Sequence, residues 1–208
     1  MEVIKKITYS IDDFELNHRP IADTIDIKKT KEGYTVKYLV YDTDACFDPR
    51  QDCDNFTKMV CFHGRYNLGD KTDYKQSDHE SWDELKAAIK KDGGIFIAPL
   101  YLYDHSGITI KIGDFYECGL SQGHAHFDSG QVGFIYTTKD KLKEFGILKN
   151  KAKKQIENDV ETYDMYIRGE SYIIAADYFN KDKILVDDDN CGGYLCYEYA
   201  LKALESEI

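Results

Sequence analysis

The stretch from Ser81 to Gly113, SWDELKAAIKKDGGIFIAPLYLYDHSGITIKIG, holds a helix, a strand and a hairpin in succession, and it decides the fold class. Ser81 and Glu84 have the spacing of a capping box, in which a serine hydroxyl takes the amide three residues on. Trp82, Leu85, Ala88 and Ile89 then recur at helical spacing until Gly93-Gly94 stops the helix. The run IFIAPLYLYDH is apolar on both alternations, as a central strand would be, and Pro99 within it predicts a bulge or an edge. GITIKIG is its natural antiparallel partner across the tight turn at His105-Ser106-Gly107.

Upstream, VIKKITY, DTIDIKK and GYTVKYLVYD alternate like the strands of a meander, with Glu32-Gly33 turning the second into the third. DTDACFDPRQDCDN breaks that pattern with five aspartates and Pro49, which makes it an exposed loop, and KMVCFH follows as a short strand. Downstream, VGFIYTT is a strand. Thr138 opens a helical region whose main part runs from about Lys151 to Arg168, with Ala152, Ile156, Val160, Tyr163 and Ile167 as its apolar stripe. SYIIAADYF and KILVD read as two more strands, and DDDNCGGY as a connection to a last helix from Leu195 to Glu207. The expected fold is a single α+β domain over residues 1–208, a mostly antiparallel sheet with three to four helices packed on one face.

With 42% apolar residues in 208, the chain can bury a full core. No apolar run reaches 18 residues, and MEVIKKITYSIDD turns acidic before a signal-peptide core develops, so a cytoplasmic protein with no membrane partner is expected. Six cysteines without the tight spacing of zinc sites, the nearest being Cys46 and Cys53, Cys61 and His63, and Cys191 and Cys196, are expected to be reduced and packed. A net charge of −11 disfavours direct nucleic-acid binding and suits a basic partner.

Several catalytic patterns fail on inspection. Gly119-Leu120-Ser121-Gln122-Gly123 has the letters of a nucleophile elbow, but no helix start follows it and no histidine lies beyond His126 to complete the triad order. Asp42, Asp44 and Asp48 begin like a calcium loop, yet Phe47 and Cys53 stand where its glycine and glutamate belong. There is no phosphate-binding glycine motif for a nucleotide. Asp104-His105-Ser106 suits a hairpin turn, and Asp104, His105 and Asp128 remain the catalytic candidates if partners come from elsewhere in the fold. His124, His126 and Asp128 alternate along the chain, so on an extended segment they would share one face and could hold a divalent metal; otherwise no cofactor is expected. The order resembles the His-x-His-x-Asp-His signature of metallo-β-lactamase-like hydrolases, with Ser129 at the last position and no downstream histidines. GRYNLG, Gly64 to Gly69, has the polar and glycine content of a loop near a ligand but names none, and Arg65 and Tyr66 fit a plain surface equally well.

Acidity is concentrated at the end of the chain. Residues 157–208 carry thirteen acids against Arg168, Lys181, Lys183 and Lys202. The helix from Lys151 has its lysines first and Glu157, Glu161 and Asp164 toward its end, the reverse of what the helix dipole favours. Together with Asp187, Asp188 and Asp189, and with tyrosines interspersed, these acids are the expected binding face for a cationic surface.

MVCFHGRYNLGD, YLYDHSGITI, FDSGQVGFIYTT and the ending from VETYDMYIRGE through DDDNCGGYLCYEYALKAL resemble a family of small proteins carried by phages, prophages and plasmids, from about residue 58 onward. The best matched positions are Asp104, His105, Ser106, Gly107, Asp128, Ser129, Gly130, Gln131 and Gly133. In such relatives a cysteine stands only a few residues before the Asp-Ser-Gly; here GLSQGHAHF separates Cys118 from Asp128, which places His124 and His126 in an insertion. Gln131 and its glycines are then expected to form a turn beside the Asp104-His105 hairpin, as one surface patch. The resemblance implies a role against host defence. The expected function is an anti-CRISPR-like or anti-restriction antagonist whose partner is a bacterial defence effector such as a CRISPR-associated nuclease. The alternative is a metal-dependent hydrolase or nuclease acting on a guide nucleic acid or a signalling molecule.

Overall fold

Ser81 caps its helix as the spacing requires: its hydroxyl accepts the Glu84 amide at 3.3 Å, while the Glu84 carboxylate reaches back to the amide of Glu80 at 2.7 Å. The resulting helix α1 spans Trp82–Lys91, and Gly94 then begins the strand that the sequence marks as central. The computed structural model describes residues 9–43, 48–116 and 127–207. They fall into two compact units: one built from the two ends of the chain, the other from residues 47–168.

The middle unit holds β3 (Lys58–Cys61), β4 (Gly94–Asp104), β5 (Ile108–Ile112) and β6 (Ser129–Thr138), in the order β3-β6-β4-β5, with every pairing antiparallel. It also holds α1, the short α2 (Lys139–Glu144), capped by the Thr138 hydroxyl, and α3 (Ala152–Ile167). Alternation along the strands gives the sheet two buried faces. Met59, Leu100, Leu102 and Ile110 meet Ala152, Ile156, Val160 and Tyr163 of α3, whereas Val60, Phe134 and Tyr136 meet Leu85 and Ile89 of α1. The helices therefore cover both faces of this sheet and not one, because its central strands are apolar on both alternations. β4 is interior, and Pro99 lies between two register shifts, so of the two expectations for that proline the bulge is the one realised. Gly133 is fixed by contact: a Cβ there would lie 1.9 Å from the carbonyl oxygen of Val60 on β3.

The unit made from the chain ends has β1 (Ile21–Lys29), β2 (Gly33–Tyr41), β7 (Ser171–Asn180) and β8 (Leu185–Leu195), ordered β1-β2-β7-β8 and antiparallel throughout. Phe14 and Leu16, from the segment before β1, pack on Val36, Tyr38, Val40, Ala175 and Phe179. The other face, with Leu39 and Ile174, is covered by Ala200, Ala203 and Leu204 of α4 (Tyr197–Glu207). The chain is thus α+β and antiparallel, with its strands shared between two four-stranded sheets.

Two boundaries differ from the sequence reading. Asp187 to Gly193, expected as a connection, lie inside β8, because register pairs such as Asp177 with Asp188 and Ala176 with Asp189 carry the strand through them. A strand paired on one side only tolerates aspartate and glycine, since one flank stays in water. The last helix accordingly starts at Tyr197 and not at Leu195.

Candidate functional site

The hairpin between β4 and β5 closes through His105, Ser106 and Gly107, with the His105 amide bonded to the Gly107 carbonyl at 3.0 Å. Ser106 and Gly107 both take positive φ, 56° and 143°, so this turn is built for glycine at its second position. Beside it runs the start of β6, where Ser129, Gly130 and Gln131 pair with Tyr103, Leu102 and Tyr101. Gln131 is therefore in a strand and not in a turn, and the two sequence motifs adjoin as neighbouring strands.

The juxtaposition brings His105 Nδ1 to 3.1 Å from Asp128 Oδ2. A carboxylate at Nδ1 holds the proton there and orients the ring, leaving Nε2 as the basic nitrogen. Asp104, one residue earlier, does different work. Its Oδ2 accepts from the Arg65 guanidinium at 2.9 Å and its Oδ1 from the Tyr66 hydroxyl at 3.1 Å. Arg65 also bonds the Tyr66 hydroxyl, and that bond, followed by the nearby Asp104 charge, holds the guanidinium pKa above its ordinary value.

Arg65 and Tyr66 are set by His63, whose Nδ1 accepts both their amides, at 3.3 and 3.2 Å, and whose ring stacks on Tyr66 at 5.0 Å. That leaves the His63 proton on Nε2. With Asp104, Asp128, Gln131 and Trp82, this loop lines a cleft of about 470 Å³. Four separated segments thus converge there. His63 entered the sequence reading only through its spacing from Cys61, and nothing local in the sequence signals its role in ordering the loop.

His124 and His126 lie outside the described residues, as do Cys46, Cys118 and the GLSQG segment. Among the described residues no three His, Cys, Asp or Glu side chains are grouped so as to hold a metal ion. Cys53, Cys61, Cys191 and Cys196 are free thiols, and burial pushes Cys61 up to about 12. No helix among the described residues is long and apolar enough to cross a membrane.

The acidic candidates divide between the two units. Asp164 of α3 turns toward the sheet, where its Oδ1 accepts the Thr109 hydroxyl at 2.6 Å and the Ile110 amide at 2.7 Å. Glu157 lies 3.9 Å from Lys154, and Glu161 is exposed. Asp187, Asp188 and Asp189 are exposed along β8, whose outer side pairs with no strand among the described residues. His18 Nε2 lies 3.0 Å from Asp188 Oδ2, a bond that lowers the Asp188 pKa. Ile184 and Val186, just before the aspartates, are more than half exposed. Compared with family models, curated proteins and solved structures, the chain matches none of them.

Proposed function

We propose that this protein is an antagonist of a bacterial defence effector, acting by laying the acidic edge of β8 against a basic nucleic-acid-handling surface. The observation that carries the reading is the run Asp187-Asp188-Asp189 on an open strand, with no basic residue between Lys183 and Lys202. Successive residues of a strand advance about 3.3 Å. One nucleic-acid strand presents a phosphate about every 3.4 Å along its axis. Side chains alternate between the faces of a strand, so Asp187 and Asp189 share one face about 6.6 Å apart and offer a cationic channel a carboxylate for every second phosphate of its own ligand. Exposed Ile184 and Val186 add apolar contact beside the charges. The resemblance to proteins of mobile elements supports the choice of a defence effector as partner.

The test is plaque formation by a targeted phage on cells expressing the protein, across several CRISPR effector types and without any. Rescue is expected with one type and is lost in the double variant Asp187→Lys, Asp189→Lys. Asp188 is left in place because it holds His18. Absence of rescue with every system, or rescue indifferent to those reversals, overturns the reading.

The 3.1 Å pair of His105 and Asp128 favours a second reading, a hydrolase that destroys a guide nucleic acid or a signalling molecule with His105 as general base. It requires turnover by purified protein, abolished in His105→Ala and retained in the β8 variant. Its metal-dependent form also loses turnover to a chelator.

A further inference from the structure

At the start of β4 a bulge puts one bulky residue into a rare backbone conformation. Phe96 has φ of +53°, a left-handed conformation that is rare for a bulky side chain. It sits in a bulge: Ile95 pairs with Thr137 and Ala98 with Ile135, so Phe96 and Ile97 oppose Tyr136 alone. Strain of this kind is retained where surrounding structure imposes it, and such places cluster at binding sites.

Phe96, Ile95, Ile97 and Leu142 are the apolar lining of a cleft of about 570 Å³. Lys86 and Lys90, one turn apart on α1, line it together with Lys139 and Lys149. No acidic residue lines the cleft. Among the described residues none of these four ammonium groups is in an ion pair, although the chain as a whole carries a charge of −11. Four like charges around an apolar floor repel one another.

We propose that this cleft binds an acidic amphipathic segment of a partner protein, with apolar side chains on Phe96 and Ile97 and carboxylates against the lysine rails. This is the chemistry of a peptide helix or strand laid in a groove. Charge complementarity fixes the sign of the occupant, and the apolar floor requires it to be more than a simple anion. A nucleic acid, charged at every nucleotide, is disfavoured more than a short acidic segment by the net charge of −11. A small anionic amphiphile would need walls that enclose most of its surface, and all four lysines here are exposed. The cleft lies in the unit that does not contain β8, so the proposal stands or falls apart from the acidic edge.

Fluorescence polarisation of the full chain with two labelled peptides of about fifteen residues, long enough for helix to form, tests it. One has Leu on one face and Glu on the other; the second has the same composition scrambled so that no apolar face forms. The amphipathic peptide is expected to bind more tightly. Affinity should fall on the order of tenfold in the double variant Lys86→Glu, Lys90→Glu, and again as salt rises from about 50 mM to about 500 mM. Phe96→Asn, which keeps a residue tolerant of positive φ, should weaken binding with the circular dichroism spectrum retained. Equal binding of the two peptides, indifference to the lysine reversals, or no binding at about 1 mM peptide overturns the proposal. So does lysine-dependent binding of laurate with no binding of the amphipathic peptide, which would assign the cleft to a small amphiphile.

Discussion

The hydroxyl of Tyr38 donates to Asp177 Oδ2 at 3.0 Å, and neither residue has any surface in contact with solvent. The same oxygen accepts the Asn17 amide at 2.7 Å, while the Tyr38 oxygen accepts the His18 amide at 3.1 Å. A buried carboxylate on β7 is thereby the anchor for the chain segment that covers this face of the sheet. Its other oxygen, Oδ1, finds no hydrogen-bond partner among the described residues, so the bonds to Oδ2 offset its burial alone.

Tyr38→Phe keeps the ring and removes one of those two donors. Loss of a partner from a buried polar group costs about 1–3 kcal/mol, more when the group is charged, and urea denaturation should show a loss at the upper part of that range. A loss below about 0.5 kcal/mol would mean that Asp177 is held by something other than Tyr38.

Alkaline pH should weaken the fold through two of its buried tyrosines. Burial is the first cause that raises the Tyr38 and Tyr163 phenols above their ordinary value, and the neighbouring Asp177 adds to it at Tyr38. In the unfolded chain both lose their protons near pH 10, while the folded chain keeps them. Above that pH the unfolded state binds fewer protons, so stability is full below about pH 10 and falls as pH rises, by about 1.4 kcal/mol per unit for each tyrosine. Tyrosinate absorbance should rise in two stages, the second coincident with loss of near-ultraviolet dichroism. A single reversible stage with the dichroism retained would refute it.

Arg50 is almost wholly buried and holds Asp70 with two prongs, Nε to Oδ1 at 3.1 Å and Nη2 to Oδ2 at 2.6 Å. Its remaining donors reach the hydroxyl and carbonyl of Thr57. Removing one member of a buried pair leaves the other charge uncompensated, at a cost of about 3–5 kcal/mol. Arg50→Ala should therefore lower the melting temperature steeply, and Arg50→Lys should recover little of it because an ammonium cannot form the fork. A melting temperature within a few degrees of the parent in Arg50→Ala would show the pair to be dispensable.

Much of this fold is legible in the residues themselves. Ser81, Glu84 and Gly93-Gly94 mark α1, the two-sided apolar run around Pro99 marks an interior strand, and Thr138 marks the cap of α2. Local pattern carries these because the physics is local. Which strands share a sheet is different: β2 pairs with β7 from the far end of the chain, and nothing in either run selects that partner. β8 was hidden because its aspartates and glycines have low strand propensity, which the pairing with β7 overrides. The proximity of His105 and Asp128 could be suspected from their motifs, but the ordering of Arg65 by His63 depends on a loop whose conformation no residue pattern announces.

Asp164 and Glu161 look equivalent as acids on the late turns of one helix, yet the structure separates them. Asp164 ties α3 to β5 through Thr109 and Ile110 and also accepts from Arg168 at 3.2 Å, whereas Glu161 is exposed. Asp164→Ala strips a half-buried hydroxyl and a backbone amide of their acceptor, which should cost about 1–3 kcal/mol in urea denaturation. Glu161→Lys should change stability by no more than about 0.5 kcal/mol. The distinction matters for any charge-reversal experiment on this face: loss of a binding activity in Glu161→Lys reports on a contact, while the same loss in an Asp164 variant reports first on the seating of the helix. If the two variants prove equally stable, the bonds of Asp164 to β5 contribute nothing net, and the acids of α3 can be treated as one surface.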